Sequence, residues 1–132
     1  GDMENLKTLK KLCKEEIKNN NFSLFSGDDF SFLEFITNGG DGTISVSSNI
    51  VPKIISDICK IAKKDYEAAK NLDDSLKKLN KYLFIESNPI PVKWALLKMG
   101  MIKSGIRLPL VELNNEFKTP LENCLQELNI IK

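Results

Sequence analysis

Apolar residues recur along this chain at two different periods, and the change of period marks its organisation. Met3, Leu6, Leu9, Leu12 and Cys13 fall at helical spacing, and Asp2 stands where its carboxylate can accept from the free amides of a first turn. Asn19-Asn20-Asn21 is a turn signal. Phe22, Leu24 and Phe25 then predict a short buried strand that stops at Ser26-Gly27. A second helix carries Phe32, Leu33, Phe35 and Ile36, with Asp28 or Asp29 as its cap. It ends at Asn38-Gly39-Gly40, because glycine accepts the left-handed conformation that closes a helix. Thr43 to Ser47 predicts a second strand, with Ile44 and Val46 on one face. Pro52 suits a first-turn position, and Ile54, Ile55, Ile58, Ile61 and Ala62 predict a third helix.

The order up to Lys64 is therefore α-β-α-β-α. Strands separated by helices of this length imply parallel pairing, because a parallel crossover needs about a dozen residues or more. Beyond Lys64 the strands stop. Asp65 caps a long helix with Ala69, Leu72, Leu76, Leu79 and Leu83 on one side. Pro89-Ile90-Pro91 predicts an extended corner, since each proline restricts the residue before it. Val92 to Met99 follows as helix and Gly100 closes it. Residues 101–118 read as a connection made rigid at Arg107-Leu108-Pro109. Thr119-Pro120-Leu121-Glu122 predicts the start of a last helix with Leu121, Cys124, Leu125 and Leu128 toward a core. Two segments result, 1–64 and 65–132. Two strands leave both edges of a parallel sheet open, with rows of unpaired amides and carbonyls. The first segment thus reads as a slice of something larger.

Size and charge narrow the possibilities. With 132 residues the chain can bury one core but cannot form a complete eightfold β/α barrel, which takes roughly 250 residues. Charge is balanced at +1, so no basic field is present to hold a nucleic-acid backbone. The apolar runs are short and interrupted by charge, which disfavours a membrane span, and Gly1-Asp2-Met3-Glu4 lacks the pattern of a signal peptide. A cytoplasmic setting is expected. Cys13, Cys59 and Cys124 sit on apolar helical stripes and read as reduced, buried thiols. Histidine is absent, which removes Ser-His-Asp and Cys-His catalysis and disfavours a zinc site.

In parallel β/α architectures chemistry gathers beyond the carboxyl ends of the strands. That rule selects Ser26-Gly27-Asp28-Asp29 and Ser47-Ser48-Asn49. Each residue has a plain structural reading: Gly27 as a tight turn, Asp28 and Asp29 as caps. The functional reading is that Gly27 lets a substrate approach the backbone where a side chain would block it. Asn38-Gly39-Gly40-Asp41-Gly42 is glycine-rich but lacks the Lys-Ser/Thr ending of a phosphate loop and precedes a strand instead of following one. Asp28 and Asp29 alone are too few ligands for a metal ion. Lys63-Lys64 and Lys77-Lys78 read as solvated, and the leucines from 72 to 83, with Tyr66 and Tyr82, as core or a helix-pairing face.

Ser26-Gly27-Asp28-Asp29, Gly42-Thr43-Ile44-Ser45-Val46, Ser87-Asn88-Pro89-Ile90-Pro91-Val92-Lys93-Trp94-Ala95 and Arg107-Leu108-Pro109 occur in that order. Together they resemble the C-terminal portion of the dihydrodipicolinate synthase family, within the pyruvate-dependent Schiff-base lyases, over essentially the whole chain. Sialic-acid lyases such as N-acetylneuraminate lyase share fold and chemistry but do not usually carry the Asn-Pro-Ile-Pro-Val-Lys run. The resemblance implies an α/β fold: the last two strands of a TIM barrel with their helices, followed by a C-terminal helical extension. It implies condensation of pyruvate with aspartate semialdehyde through a lysine imine, with no metal or organic cofactor. It places Ile44 beside bound pyruvate through its backbone, Gly27 on the pocket wall, Asp28 and Asp29 at the mouth, and Asn88 near the second substrate. The family's imine lysine and its proton relay lie upstream of Gly1, and Lys93 is no substitute. The chain is accordingly expected to need an N-terminal half as partner, to be inactive without it, and to join a homotetramer when complete. The alternative is a non-catalytic assembly module.

Overall fold

The computed structural model describes residues 1–132 and is mostly helical. Its elements are α1 (Met3–Leu12), α2 (Lys14–Lys18), β1 (Phe25–Ser26), α3 (Phe32–Thr37), β2 (Gly42–Thr43), a 3-10 turn at Ser47–Asn49, α4 (Pro52–Ile61), α5 (Tyr66–Leu83), α6 (Ile90–Lys98) and α7 (Asn115–Glu127). The chain divides into two compact units. Unit one comprises residues 1–45 and 54–74, and unit two residues 46–53 and 75–132.

In unit one, Asp2 caps α1 as its position predicts, accepting from the amides of Glu4 and Asn5 at 2.9 and 3.1 Å. Only Leu6 of the α1 stripe is buried, while Leu9 and Leu12 are 43% and 76% exposed. The stripe is present in the sequence, but half of it lacks cover within this chain. The helix also breaks at Cys13 instead of running to the asparagines.

The two strands pair in parallel, Phe25 with Gly42 and Ser26 with Thr43. Both are shorter than their apolar patterns predict. Leu24 is buried, but Phe22 and Phe25 are exposed. Ile44 is the most exposed residue of its segment at 76%, and the chain leaves the ladder after Thr43. A strand persists only where a neighbour supplies ladder partners, and here each strand has one neighbour.

The turn between α3 and β2 follows the glycine argument. Gly39 adopts φ +99°, its amide donates to the Ile36 carbonyl, and Gly40 donates to Phe35, the paired bonds of a Schellman closure. Gly40 has a second reason to be glycine: an added Cβ would stand 2.2 Å from the Phe35 ring. The cap of α3 is Ser31, not Asp28 or Asp29, because both carboxylates are engaged elsewhere. Phe32, Leu33, Ile36, Ile55 and Ile58 are the main buried apolar residues of this unit.

In unit two, Leu76, Leu79 and Leu83 of α5 are fully buried. Asn88-Pro89 and Leu108-Pro109 are cis peptides. Pro91 does not extend the corner as the sequence predicts. It sits in the first turn of α6, where a missing amide costs nothing, and is buried there with Ile90 and Val92. Gly100 closes α6 at φ +72°. The last helix begins before Thr119, at Asn115. The Asn114 side chain accepts from the Glu116 amide at 3.2 Å, and Pro120 lies inside the helix. α7 packs on α6 and buries Leu121, Cys124 and Leu125.

Candidate functional site

Parallel pairing brings the two strand ends of unit one together. Beyond β1 the chain turns at Ser26-Gly27-Asp28. The Ser26 hydroxyl accepts from the Asp28 amide at 3.1 Å, and the Ser26 carbonyl accepts from the Ile44 amide at 2.8 Å and the Thr43 hydroxyl at 3.3 Å. The Ile44 amide is thereby committed to the sheet. The backbone group it leaves for a ligand is its carbonyl, an acceptor suited to an imine N–H or a hydroxyl and unsuited to a carboxylate.

Gly27 is exposed, its φ lies outside the left-handed region, and an added Cβ would meet no atom within 4 Å. Nothing in this chain requires a glycine there. Asp28 is partly exposed and accepts from the Gly1 amine at 2.8 Å and the Ser31 hydroxyl at 2.5 Å. Partial burial raises its pKa. The amine, the Ser31 hydroxyl and the Phe30 amide outweigh that and hold the carboxyl below its ordinary range.

Asp29 is different in kind. It is 1% exposed and accepts the hydroxyl proton of Ser45, itself buried. Asp29 is a strut between the two strand ends and does not open to solvent. Sequence reasoning put Asp28 and Asp29 together as neighbours at a mouth. The structure separates them into a partly exposed acceptor and a buried support. Ser45, which holds Asp29, was not singled out beforehand, although a small hydroxyl on the face opposite Ile44 was the available signal.

Asn88 belongs to unit two, exposed ahead of the cis Pro89 and the start of α6. The same unit has a buried polar pair, Ser47 and Asn80, with the hydroxyl donating to the Asn80 side-chain oxygen at 2.6 Å. The strand-end rule points to Ser47, and its side chain is buried and engaged. One Glu86 carboxylate oxygen is buried without a partner. The three cysteines are free. Burial raises the Cys59 thiol pKa. For Cys124 burial also dominates, opposed by Lys78 and reinforced by Glu127. No helix is long and apolar enough to cross a membrane.

Residues 1–128 match the model of the dihydrodipicolinate synthetase family. A 4-hydroxy-tetrahydrodipicolinate synthase from Shewanella pealeana is 45% identical over 132 residues, covering 98% of this chain and 43% of that protein. The crystal structure of the chloride-inhibited dihydrodipicolinate synthase from Acinetobacter baumannii, complexed with pyruvate, superposes with a TM-score of 0.87 at 44% identity. That match covers 98% of this chain and 43% of the other. A monomeric dihydrodipicolinate synthase variant matches with a TM-score of 0.82 at 37% identity over 88% of this chain and 39% of that one. The chain thus spans less than half the length of the relatives it matches.

Proposed function

The chain belongs to the dihydrodipicolinate synthetase family, and from that premise we propose that it is the C-terminal portion of a 4-hydroxy-tetrahydrodipicolinate synthase. In this reading residues 1–64 supply the last two β/α units of a TIM barrel and residues 65–132 a helical extension. The observation that carries it is the unfinished sheet. Two parallel strands have one neighbour each, and Phe25 in β1 and Ile44 just after β2 are 54% and 76% exposed. An N-terminal half of the barrel would supply the missing strands and cover these side chains.

The reaction is a condensation of pyruvate with aspartate semialdehyde in lysine and diaminopimelate biosynthesis. A lysine contributed by the N-terminal half attacks the pyruvate carbonyl and releases water. The imine loses a proton to give an enamine, whose carbon bonds to the aldehyde. Cyclisation then frees the lysine and yields 4-hydroxy-tetrahydrodipicolinate. An iminium is a stronger electron sink than a ketone, which brings the carbanion-like step within reach at neutral pH. No metal or organic cofactor enters. The Ile44 carbonyl lies beside the imine, Gly27 leaves room for the substrate, Asp28 stands at the mouth, Asp29 keeps the strand ends in register, and Asn88 approaches the second substrate. The assembled enzyme is a cytoplasmic homo-oligomer, a tetramer in this reading.

Co-expression with the N-terminal half of a family member tests the proposal. The mixture is expected to form product and to trap a pyruvyl adduct with borohydride on the N-terminal polypeptide. This chain alone is expected to trap none. Binding without turnover would support an assembly module instead.

A further inference from the structure

We propose that the cleft formed by α6, α7 and the segment joining them binds a small apolar carboxylate, with one aromatic ring or a short branched chain and a single negative charge. The cleft lies wholly within unit two and encloses about 140 Å³. A dry protein cavity of about 150 Å³ accommodates benzene, so this space admits one ring.

The lining has two chemistries. Ile90, Trp94 and Leu97 recur along α6 at helical spacing, and Ile102, Ile106 and Leu113 complete an apolar surface. The cationic part consists of Lys93, Lys103 and Lys118, with Glu112 as the single opposing carboxylate. The whole chain balances 19 cations against 18 anions, so three against one around a single cleft is a local surplus. No ion pair engages these three lysines. Lys98 on the same helix is tied to Glu122 at 2.7 Å. Arg107 lines the adjoining open groove beside Lys93 and extends the positive rim.

The ring surface is also held in place. The Lys98 ammonium stands 5.4 Å from the centroid of the Trp94 ring, and the Glu122 ion pair fixes that ammonium. A bound aromatic acid would bury its ring against Trp94, Ile90 and Ile106 and leave its carboxylate among the lysines. A neutral ring would gain only the first of these.

Trp94 is the one tryptophan in the sequence, so its emission reports on the site. The experiment titrates 3-phenylpropanoate into the 132-residue protein, with Trp94→Phe assigning the signal. A saturable change is expected with Kd of about 1–5 mM, the range for a ligand of this size. The neutral 3-phenylpropanamide is expected to bind about 3–10-fold more weakly, and Lys118→Glu to weaken the acid by a similar factor. Lys103→Glu, at an exposed position, gives the same reading if Lys118→Glu misfolds. Equal affinity for acid and amide, indifference to both charge reversals, or no Trp94 response would overturn the proposal.

Discussion

Ser45 donates its hydroxyl proton to the carboxylate of Asp29, and this buried bond ties the turn after β1 to the segment leaving β2. A hydrogen bond to a charged group contributes about 1.5–3 kcal/mol. Ser45→Ala should therefore destabilise the fold by about that amount in urea unfolding. Asp29→Ala should cost at least as much, because it removes the same bond and leaves a larger void at a buried position. A Ser45→Ala protein as stable as the parent would show that the bond does not hold the strand ends.

Gly27→Ala is expected to separate folding from the proposed function. An added methyl meets no atom of the chain and the backbone is not left-handed, so Gly27→Ala should fold at least as well, gaining about 0.4–1 kcal/mol from the unfolded state. In the enzyme proposed above, completed by an N-terminal half, the same change should lower kcat/KM about tenfold or more by narrowing the proposed pocket, a cost of roughly 1.4 kcal/mol. Stability and steady-state kinetics of the one variant decide it. Unaltered activity would remove Gly27 from the pocket wall.

Asp28 gives a pH dependence of fixed sign. Its carboxyl pKa lies below the ordinary value in the folded state, so the native form binds fewer protons than the unfolded form as the carboxyl titrates. The associated stability is complete above the unfolded pKa of about 4 and disappears as pH falls through the lower folded value. The carboxyl is about a third exposed, which limits the contribution to about 1 kcal/mol. Asp28→Asn should flatten the acid limb of the stability profile, and acetylation of the Gly1 amine should raise the Asp28 pKa measured by carboxyl NMR.

Pro120 occupies the interior of α7, where it cannot donate to the Glu116 carbonyl and its ring presses on that group. Pro120→Ala restores the bond but loosens the unfolded chain. The net expectation is a gain of about 1–2 kcal/mol, read as a higher denaturation midpoint. A lower midpoint would mean that the proline shapes the α6–α7 contact.

The thiols should separate under alkylation. Cys124 is 1% exposed and burial raises its pKa, so it should stay unmodified until the protein unfolds. Cys59 is half-buried with its pKa also raised, and should react in the native state with a rate that climbs as pH increases. Peptide mapping after brief iodoacetamide exposure distinguishes them.

Much of the helical architecture was legible in the sequence because caps and apolar spacing are local. Asp2, Pro52, Gly39 and Gly100 each stand where the structure uses them. The start of α7 was misplaced because Thr119-Pro120 and Asn114 are both good start signals, and local chemistry does not rank them. Packing does, by extending α7 along α6. The strands were overextended for the opposite reason. Ile44 and Val46 alternate as strand residues do, but the ladder ends at Thr43 and Ile44 is 76% exposed, so alternation alone does not make a strand without neighbouring partners.

For the candidate site, the sequence carried the proximity of its positions only in part. Gly27, Asp28, Asp29 and Ile44 share unit one because β1 and β2 pair, which parallel crossovers anticipate. The division of labour between the two aspartates depends on which side chain turns inward, and adjacent identical residues carry no signal for that. Asn88 lies in the other unit.

The bare rim of the β1–β2 pair has a consequence for the life of the polypeptide in a cell. Unclaimed backbone rungs beside greasy side chains at Phe25 and Ile44 recruit any extended segment that drifts past, including those of sister molecules. Made without a companion to cap that rim, the protein should gather in inclusion bodies or travel with chaperones. Supplying the companion during synthesis should move it into the clarified lysate.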